Sequence, residues 1–276
     1  MSEGSGNAWD IITTAIPGKS KDMTGTETTT AFVRRLEWQL AEVRDIVIET
    51  PRVRSLLLHL DDWRGHLPGQ HVDIRLTAED GYQAQRSYSI ASPPENELLT
   101  LTVERVPDGE VSSYLVDELR RGDQFQIRGP IGGYFVWTAA MRGRLYVIGG
   151  GSGIVPLMAM LRHRETQRAF VPTLLLYSSR GLEDVIYRDE LDAMAKRDSH
   201  LQVVQTLTRK QPDGWLGKRG RIDRKLLTET SFSPSTRPNI FVCGPTSFVE
   251  HVSSLLVELG YDENTIKTER FGPTGG

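Results

Sequence analysis

The hydrophobic period of this chain changes near residue 141, and that change limits the fold more than any other feature. Beyond it four short apolar runs, "RLYVIG", "TLLLYS", "LQVVQTL" and "NIFVCG", are followed by helical patterns, clearest at 154–165, 186–196 and 246–259. Short apolar strands alternating with amphipathic helices build a parallel sheet covered by helices. The last helical pattern places Val249, Val252, Leu256 and Leu259 on one face and stops at Gly260, a residue type suited to the position just past a helix end. A final run, "TIKTERF", returns as the fifth strand of a five-stranded parallel sheet.

Before the change the pattern is that of strands. "HVDIRLT" alternates Val72, Ile74 and Leu76 with Asp73, Arg75 and Thr77, and "LLTLTVERV" alternates Leu99, Leu101 and Val103 with Thr100, Thr102 and Glu104. Turn signals at "LPGQ", "EDGY", "SPPEN", "PDGE" and "RRGD" punctuate the segment at the spacing of a small antiparallel β-barrel. The expected division is a barrel over 37–140 and an α/β domain over 141–276, with a ligand crevice between them. Residues 1–36, rich in Gly, Ser and Thr and without a sustained period, read as a flexible arm.

Charge and cysteine usage exclude several classes. With 33 basic and 36 acidic side chains in 276 residues, a net charge of -3 gives no global reason to expect nucleic acid or an anionic membrane as partner. The one cysteine, Cys243, rules out an internal disulfide, a thiolate zinc site and a cysteine-ligated iron-sulfur cluster, and it suits a reducing cytosol. No apolar run reaches membrane-spanning length, and the first residues lack the basic and apolar regions of a signal peptide, so a cytoplasmic protein without a metal site is expected.

The stretch "LYVIGGGSGIVPLMAMLRH", 145–163, opens the α/β pattern with a burst of glycine. It is not the dinucleotide fingerprint G-x-G-x-x-G: counting from Gly149 and Gly151 the third position is Ile154, and from Gly151 and Gly153 it is Pro156. A helix N-terminus still offers backbone N–H groups to a pyrophosphate, while a plain strand-to-helix turn explains the same residues. Upstream, "RSYSIAS" puts a fixed cation, a flat phenol and small hydroxyls in one extended segment, suited to holding a phosphate and stacking on a heteroaromatic ring, or to a polar edge strand. "GEVSSYLVDEL" sets Gly109 before Ser112 and Ser113 at a helix start, a second anion site or an ordinary cap.

Taken in order, these motifs resemble the ferredoxin-NADP reductase superfamily over about 37–276. They are Arg-x-Tyr-Ser at Arg86, Tyr88 and Ser89, Gly-x-x-Ser at Gly109 and Ser112, and Gly-Pro-x-Gly at Gly129, Pro130 and Gly132. Gly-Gly-Ser-Gly-Ile-x-Pro from Gly150 to Pro156 and Cys-Gly-Pro from Cys243 to Pro245 complete the set. The resemblance implies a flavin-binding barrel preceding a nucleotide-binding domain. Within the Arg86–Ser87–Tyr88–Ser89 segment, Arg86 would neutralise the FAD pyrophosphate, Tyr88 would pack on the isoalloxazine and Ser89 would lie near its N5. Thr102, Val103 and Glu104 would border the adenosine or ribityl, and Val111, Ser112 and Ser113 would bind the pyrophosphate. Gly150, Gly151, Ser152 and Gly153 would receive the nicotinamide nucleotide, with Cys243, Gly244 and Pro245 beside the nicotinamide. Ser152 stands where the family usually has threonine. Plant-type relatives cover the flavin with a terminal aromatic and hold a glutamate nearby; Phe271 and Glu269 are the counterparts, although five residues follow Phe271.

Ser179 and Arg180 resemble the family's site for an adenosine 2′-phosphate, with Tyr187 stacking on adenine and Arg188 and Arg209 as helpers. A cation there favours NADPH over NADH, against which Glu183 and Asp184 in the same loop weigh. Hydride transfer is the cofactors' chemistry, so no acid–base triad is required; Ser89, Cys243 and Glu269 are the expected catalytic residues. With no fused iron-sulfur domain, electrons are expected to pass to a separate redox protein, a ferredoxin first. A diffusible acceptor (free flavin, a quinone, a ferric chelate) and a non-catalytic nucleotide-sensing subunit are the alternatives.

Overall fold

The structure, a computed structural model, describes residues 36–272; the expected arm before Leu36 and the tail after Gly272 lie outside them. Six strands, β1 (Gln39–Thr50), β2 (Val53–His59), β3 (His71–Thr77), β4 (Gln83–Ser89), β5 (Leu99–Glu104) and β6 (Gln124–Ile131), form an antiparallel sheet. Their order is β4-β3-β6-β1-β2-β5, and a bridge between Ile90 and Leu101 brings the two edges together into a barrel.

Val72, Ile74, Leu101, Val103 and Ile127 are fully buried inside it. The alternation read from the sequence breaks at two outward positions. Asp73 is buried because its carboxylate accepts hydrogen bonds from Arg128 (2.7 Å) and from the Ser87 hydroxyl (2.7 Å), and a charge leaves water only when so paired. Thr102 is buried because the second domain covers the outer face of β5 there. After β5 comes the short helix α1 (Glu110–Ser113), capped by Gly109. The serines were expected to open it but lie at its end, because Gly109 is the cap; the Ser112 hydroxyl reaches back to accept the Val106 N–H (3.1 Å).

The second sheet is parallel, with six strands where five were expected. Its elements in chain order are β7 (Leu145–Gly150), α2 (Ile154–Thr166), β8 (Thr173–Ser179), α3 (Arg188–Arg197), β9 (Leu201–Leu207), β10 (Lys218–Arg219), α4 (Arg224–Thr230), β11 (Asn239–Pro245), α5 (Thr246–Glu258) and β12 (Ile266–Phe271). The unexpected strand β10 pairs only with Thr206 and Leu207, too short a run to leave a hydrophobic period. Tyr146 and Ile148 of β7 pack with α5 on one face, and Leu145 and Val147 with α2 on the other, so the strand reads as one apolar run.

Strand order is β10-β9-β8-β7-β11-β12. The chain moves outward from β7 to β10, then returns to the other side of β7, so the topological switch point lies between the carboxyl ends of β7 and β11. Open parallel sheets bind ligands at that point. Val53 and Ala91 of the barrel join Val155, Ile186 and Tyr187 in one apolar cluster across the domain boundary.

Candidate functional site

Gly150 ends β7, Gly151–Gly153 make one tight turn, and α2 starts at Ile154 with Pro156 in its first turn. Contact explains two of these glycines. A Cβ on Gly153 would stand 2.1 Å from the carbonyl oxygen of Cys243, and a Cβ on Gly150 would stand 2.9 Å from the Phe248 ring. Gly244 meets the same ring, at 2.6 Å. The two glycine motifs are therefore one surface packed on Phe248, an aromatic that the sequence reading passed over because nothing marks it among the apolar residues of α5. Gly151 faces open space with φ +57°.

On β4, Arg86 lies opposite Ile74 and Tyr88 opposite Val72, while Ser87 and Ser89 lie opposite Asp73 and His71. Directly opposed residues share a face. Arg86 and Tyr88 therefore leave the strand together, and Arg86 is exposed, its guanidinium donating to the Gln85 carbonyl (2.6 Å) with no carboxylate partner among the described residues. Burial pushes the Tyr88 phenol up to about 12, offset in part by Arg86, so the ring stays neutral. Ser87, expected at the cofactor, has its side chain on the other face, spent on Asp73.

Three residues distant in sequence meet at the switch point. Glu269 of β12 is in register with Cys243 of β11, and the Ser89 hydroxyl of the barrel lies near enough to the Glu269 carboxyl to favour its charged form. Burial lifts that carboxyl to about 7, the nearby Ser89 hydroxyl offsetting a part, and Oε2 is buried without a hydrogen-bond partner among the described residues. Burial, reinforced by the Glu269 charge, holds the Cys243 thiol well above its ordinary value, so it is a neutral group and not a nucleophile. Phe271, two residues beyond Glu269, is exposed in register with Pro245.

A carboxyl whose folded value lies above its ordinary 4.5 binds its proton more tightly when folded. That contribution to stability is complete below about pH 4.5 and is lost as pH rises to about 7. Glu269→Gln is therefore expected to be more stable than wild type by about 1–3 kcal/mol above pH 7, the gap narrowing as pH falls and closing below about pH 4.5; thermal melts at several pH values check it.

Several expected contacts are corrected. Tyr187 has no open face for adenine: it is 3 % exposed, its hydroxyl donates to Thr102, and the Arg162 guanidinium lies 4.7 Å from its ring centre. Thr102 is consumed in that contact. Val103 and Val111 turn their side chains into the barrel core, leaving only backbone for a ligand, while Glu104 is half-buried with Arg52 3.8 Å away. Ser113 is half-buried at the end of α1. Ser179 is buried on the Tyr177 face of β8, out of reach of a surface phosphate.

Arg180, one residue on, is exposed, and its carbonyl accepts the N–H groups of Arg209 (2.9 Å) and Lys210 (3.0 Å), gathering three cations at the ends of β8 and β9. Of the acids in this loop, Glu183 faces Lys210 (3.4 Å) and Asp184 faces Arg52 (3.1 Å). Arg188 is exposed at the start of α3 and lines a side groove with Trp215, Asp192 and Lys196. No cluster of metal-ligating side chains occurs among the described residues, and no described helix is long and apolar enough to cross a membrane.

An unpaired cation on the barrel edge, an orphaned buried carboxylate oxygen and a glycine turn opening on space before a helix fit a flavin dinucleotide facing a nicotinamide dinucleotide. The family comparisons agree. The oxidoreductase FAD-binding domain matches residues 38–136, and the oxidoreductase NAD-binding domain matches residues 147–254. The glycine betaine monooxygenase reductase subunit of Pseudomonas aeruginosa is 34 % identical over 75 % of this chain, which spans only 56 % of that protein's length. NADH-cytochrome b5 reductase 1 of Aspergillus terreus is 31 % identical, over 80 % of this chain and 77 % of its own. The crystal structure of an Amycolatopsis cytochrome P450 reductase superposes with a TM-score of 0.77 at 25 % identity, covering 92 % of this chain and 74 % of that one. The chain belongs to the ferredoxin-NADP reductase superfamily of flavoprotein oxidoreductases. Its barrel is the FAD-binding domain and its α/β unit the NAD-binding domain.

Proposed function

We propose that this chain oxidises NADPH with FAD and delivers electrons to a separate redox protein, a ferredoxin first among the candidates. The observation that carries the reading is the meeting of Ser89, Cys243 and Glu269 at the switch point, between the barrel edge and the glycine turn. FAD, when bound, would supply the redox chemistry that converts a two-electron hydride from the reduced nicotinamide into single electrons for the acceptor, with the proton going to solvent.

The chain's own residues do the rest. Arg86 holds the pyrophosphate, the Tyr88 ring supports the isoalloxazine, and the backbone at Val103, Val111 and Ser112 lines the path between. Gly150–Gly153 give the nucleotide backbone N–H groups at the start of α2. Cys243, a neutral thiol, fills the floor beside the nicotinamide and helps to exclude water. With a value of about 7, Glu269 is suited to hold or release a proton through the Ser89 hydroxyl at working pH. Phe271 covers the site from β12.

The preference for NADPH rests on charge. Glu183 and Asp184 are each matched by a cation, leaving Arg180 to meet a 2′-phosphate. Arg180→Ala is expected to lower kcat/KM for NADPH by about 10- to 100-fold, the worth of a charge-assisted contact, with NADH little changed. Equal losses for both nucleotides would remove this residue from specificity. The separate acceptor is supported by relatives named as reductases of monooxygenase and cytochrome partners. The unpaired cysteine suits the cytoplasm. Anaerobic reduction by NADPH and by NADH, followed by a screen of ferredoxins, quinones and free flavin, tests the whole reading; a protein that binds no flavin defeats it.

A further inference from the structure

Among the polar contacts that cross the boundary between the domains, which include Arg52–Asp184 and His163–Glu95, one chain of buried hydroxyls is not explained by the assigned motifs. Ser55 donates to Glu49 Oε1 (2.6 Å), the Ser55 and Thr102 hydroxyls are 2.7 Å apart, and Tyr187 donates to Thr102 Oγ1. Each hydroxyl has one proton. Since Ser55 gives its own to Glu49, Thr102 must donate to Ser55 and accept from Tyr187, so the chain runs in one direction from Tyr187 to the Glu49 carboxylate. Glu49, Ser55 and Thr102 belong to β1, β2 and β5; Tyr187 belongs to the nucleotide-binding domain.

Tyr187 is also held from behind. Arg162 of α2 lies against its ring at 4.7 Å, grips Glu190 of α3 with two hydrogen bonds (2.8 and 2.6 Å), and donates to the Ala91 carbonyl (2.8 Å). Ala91 is two residues past Ser89, and Thr102 directly precedes Val103. The clasp thus ties the helix that follows the glycine turn to both strand ends that flank the flavin. Its backbone geometry is a second, independent observation: Tyr187 has φ 58° and ψ 29°, left-handed and rare for a bulky side chain. Such strain persists only where the surroundings impose it. Adhesion alone needs neither a strained residue nor buried hydroxyls, because an apolar contact of the same area holds two domains together.

We propose that Tyr187 is a positioning residue for hydride transfer: through Thr102, Ser55 and Glu49, and under Arg162, it fixes the nicotinamide site at its distance from the flavin strands. The inference rests on the proposed NADPH–FAD reaction. In that reaction the hydride leaves the nicotinamide with both electrons of its C–H bond and arrives at the flavin. A small misplacement of the donor therefore slows the step without weakening binding.

The test uses the FAD-loaded protein mixed anaerobically with NADPH in a stopped-flow instrument. Tyr187→Phe, which keeps the ring and removes the hydroxyl, is expected to lower the limiting rate of flavin bleaching about tenfold and to weaken the long-wavelength absorbance of the nicotinamide–flavin pair. FAD and NADPH affinities should stay within about twofold. Thr102→Val should repeat that loss, and Thr102→Ser, which restores a hydroxyl, should recover the rate. Bleaching at the wild-type rate with full long-wavelength absorbance in both Tyr187→Phe and Thr102→Val overturns the proposal, as does a loss confined to KM or to Tm. A wild-type flavoprotein that neither nucleotide bleaches overturns the reading beneath it, a result separable from the first because it appears before any substitution is made.

Discussion

Arg86→Met is expected to weaken FAD binding by about 10- to 150-fold, the equivalent of a charge-assisted contact worth about 1.5–3 kcal/mol. The unloaded protein should lose almost nothing in stability. Arg86 is exposed, and among the described residues its side chain donates only to the carbonyl of its own neighbour, Gln85, so methionine breaks no ion pair and opens no cavity. Flavin fluorescence titration and a thermal melt of the unloaded protein separate the two quantities. A residue there for the fold would show the reverse pattern, a lower Tm with unchanged affinity. Arg86→Lys should fall between, because a point charge cannot reproduce a bidentate fork on phosphate.

Gly153→Ala is the second large effect, and it acts through packing. The added Cβ would lie 2.1 Å from the Cys243 carbonyl oxygen, a backbone atom of a buried central strand that cannot turn aside. Overpacking of this kind costs about 1–3 kcal/mol or more, which lowers Tm by roughly 2–12 °C in a chain of this size. If the turn and the end of β11 together form the nucleotide site, as proposed, NADPH affinity should drop about tenfold in the same variant, in proportion to a displacement worth about 1.4 kcal/mol. Gly151→Ala is the control. It meets no atom within 4 Å and suffers only its φ of +57°, a backbone cost of about 1–2 kcal/mol. If Gly151→Ala proved as damaging as Gly153→Ala in both readouts, contact with β11 would not be what fixes the turn.

Some of the site was legible because it depends on residue types at fixed local spacing. Arg86 and Tyr88, two apart on one strand, must share a face, and β4 puts them on one. The same rule applied to Ser87 would have sent it to the opposite face. Glu269 and Phe271 came from the resemblance to plant-type relatives, and the fold sets them in register with Cys243 and Pro245. The fold class was legible for a similar reason: an apolar run buried on both faces, as in β7, and an alternating one, as in β3, differ in sequence because they differ in what covers them. The short β10 left no such trace.

Local spacing cannot say what a side chain meets across a domain boundary. Tyr187 reads as an aromatic after a nucleotide loop, free to stack on a base; the fold gives it a left-handed backbone and puts Thr102, 85 residues earlier, under its hydroxyl. Glu269 reads as the counterpart of a family glutamate, but nothing in the sequence shows that burial between β11, β12 and the barrel edge lifts its carboxyl to about 7. Phe248 reads as helix core until two glycines from different strands are found against its ring. The sequence by itself determined the two architectures and the cofactor motifs, since hydrophobic period, glycine and fixed charge act over a few residues. Only the tertiary structure decided which hydroxyls are spent, which carboxyl is desolvated and how the two domains are held, because hydrogen bonding and desolvation depend on distances that the chain sets when it folds.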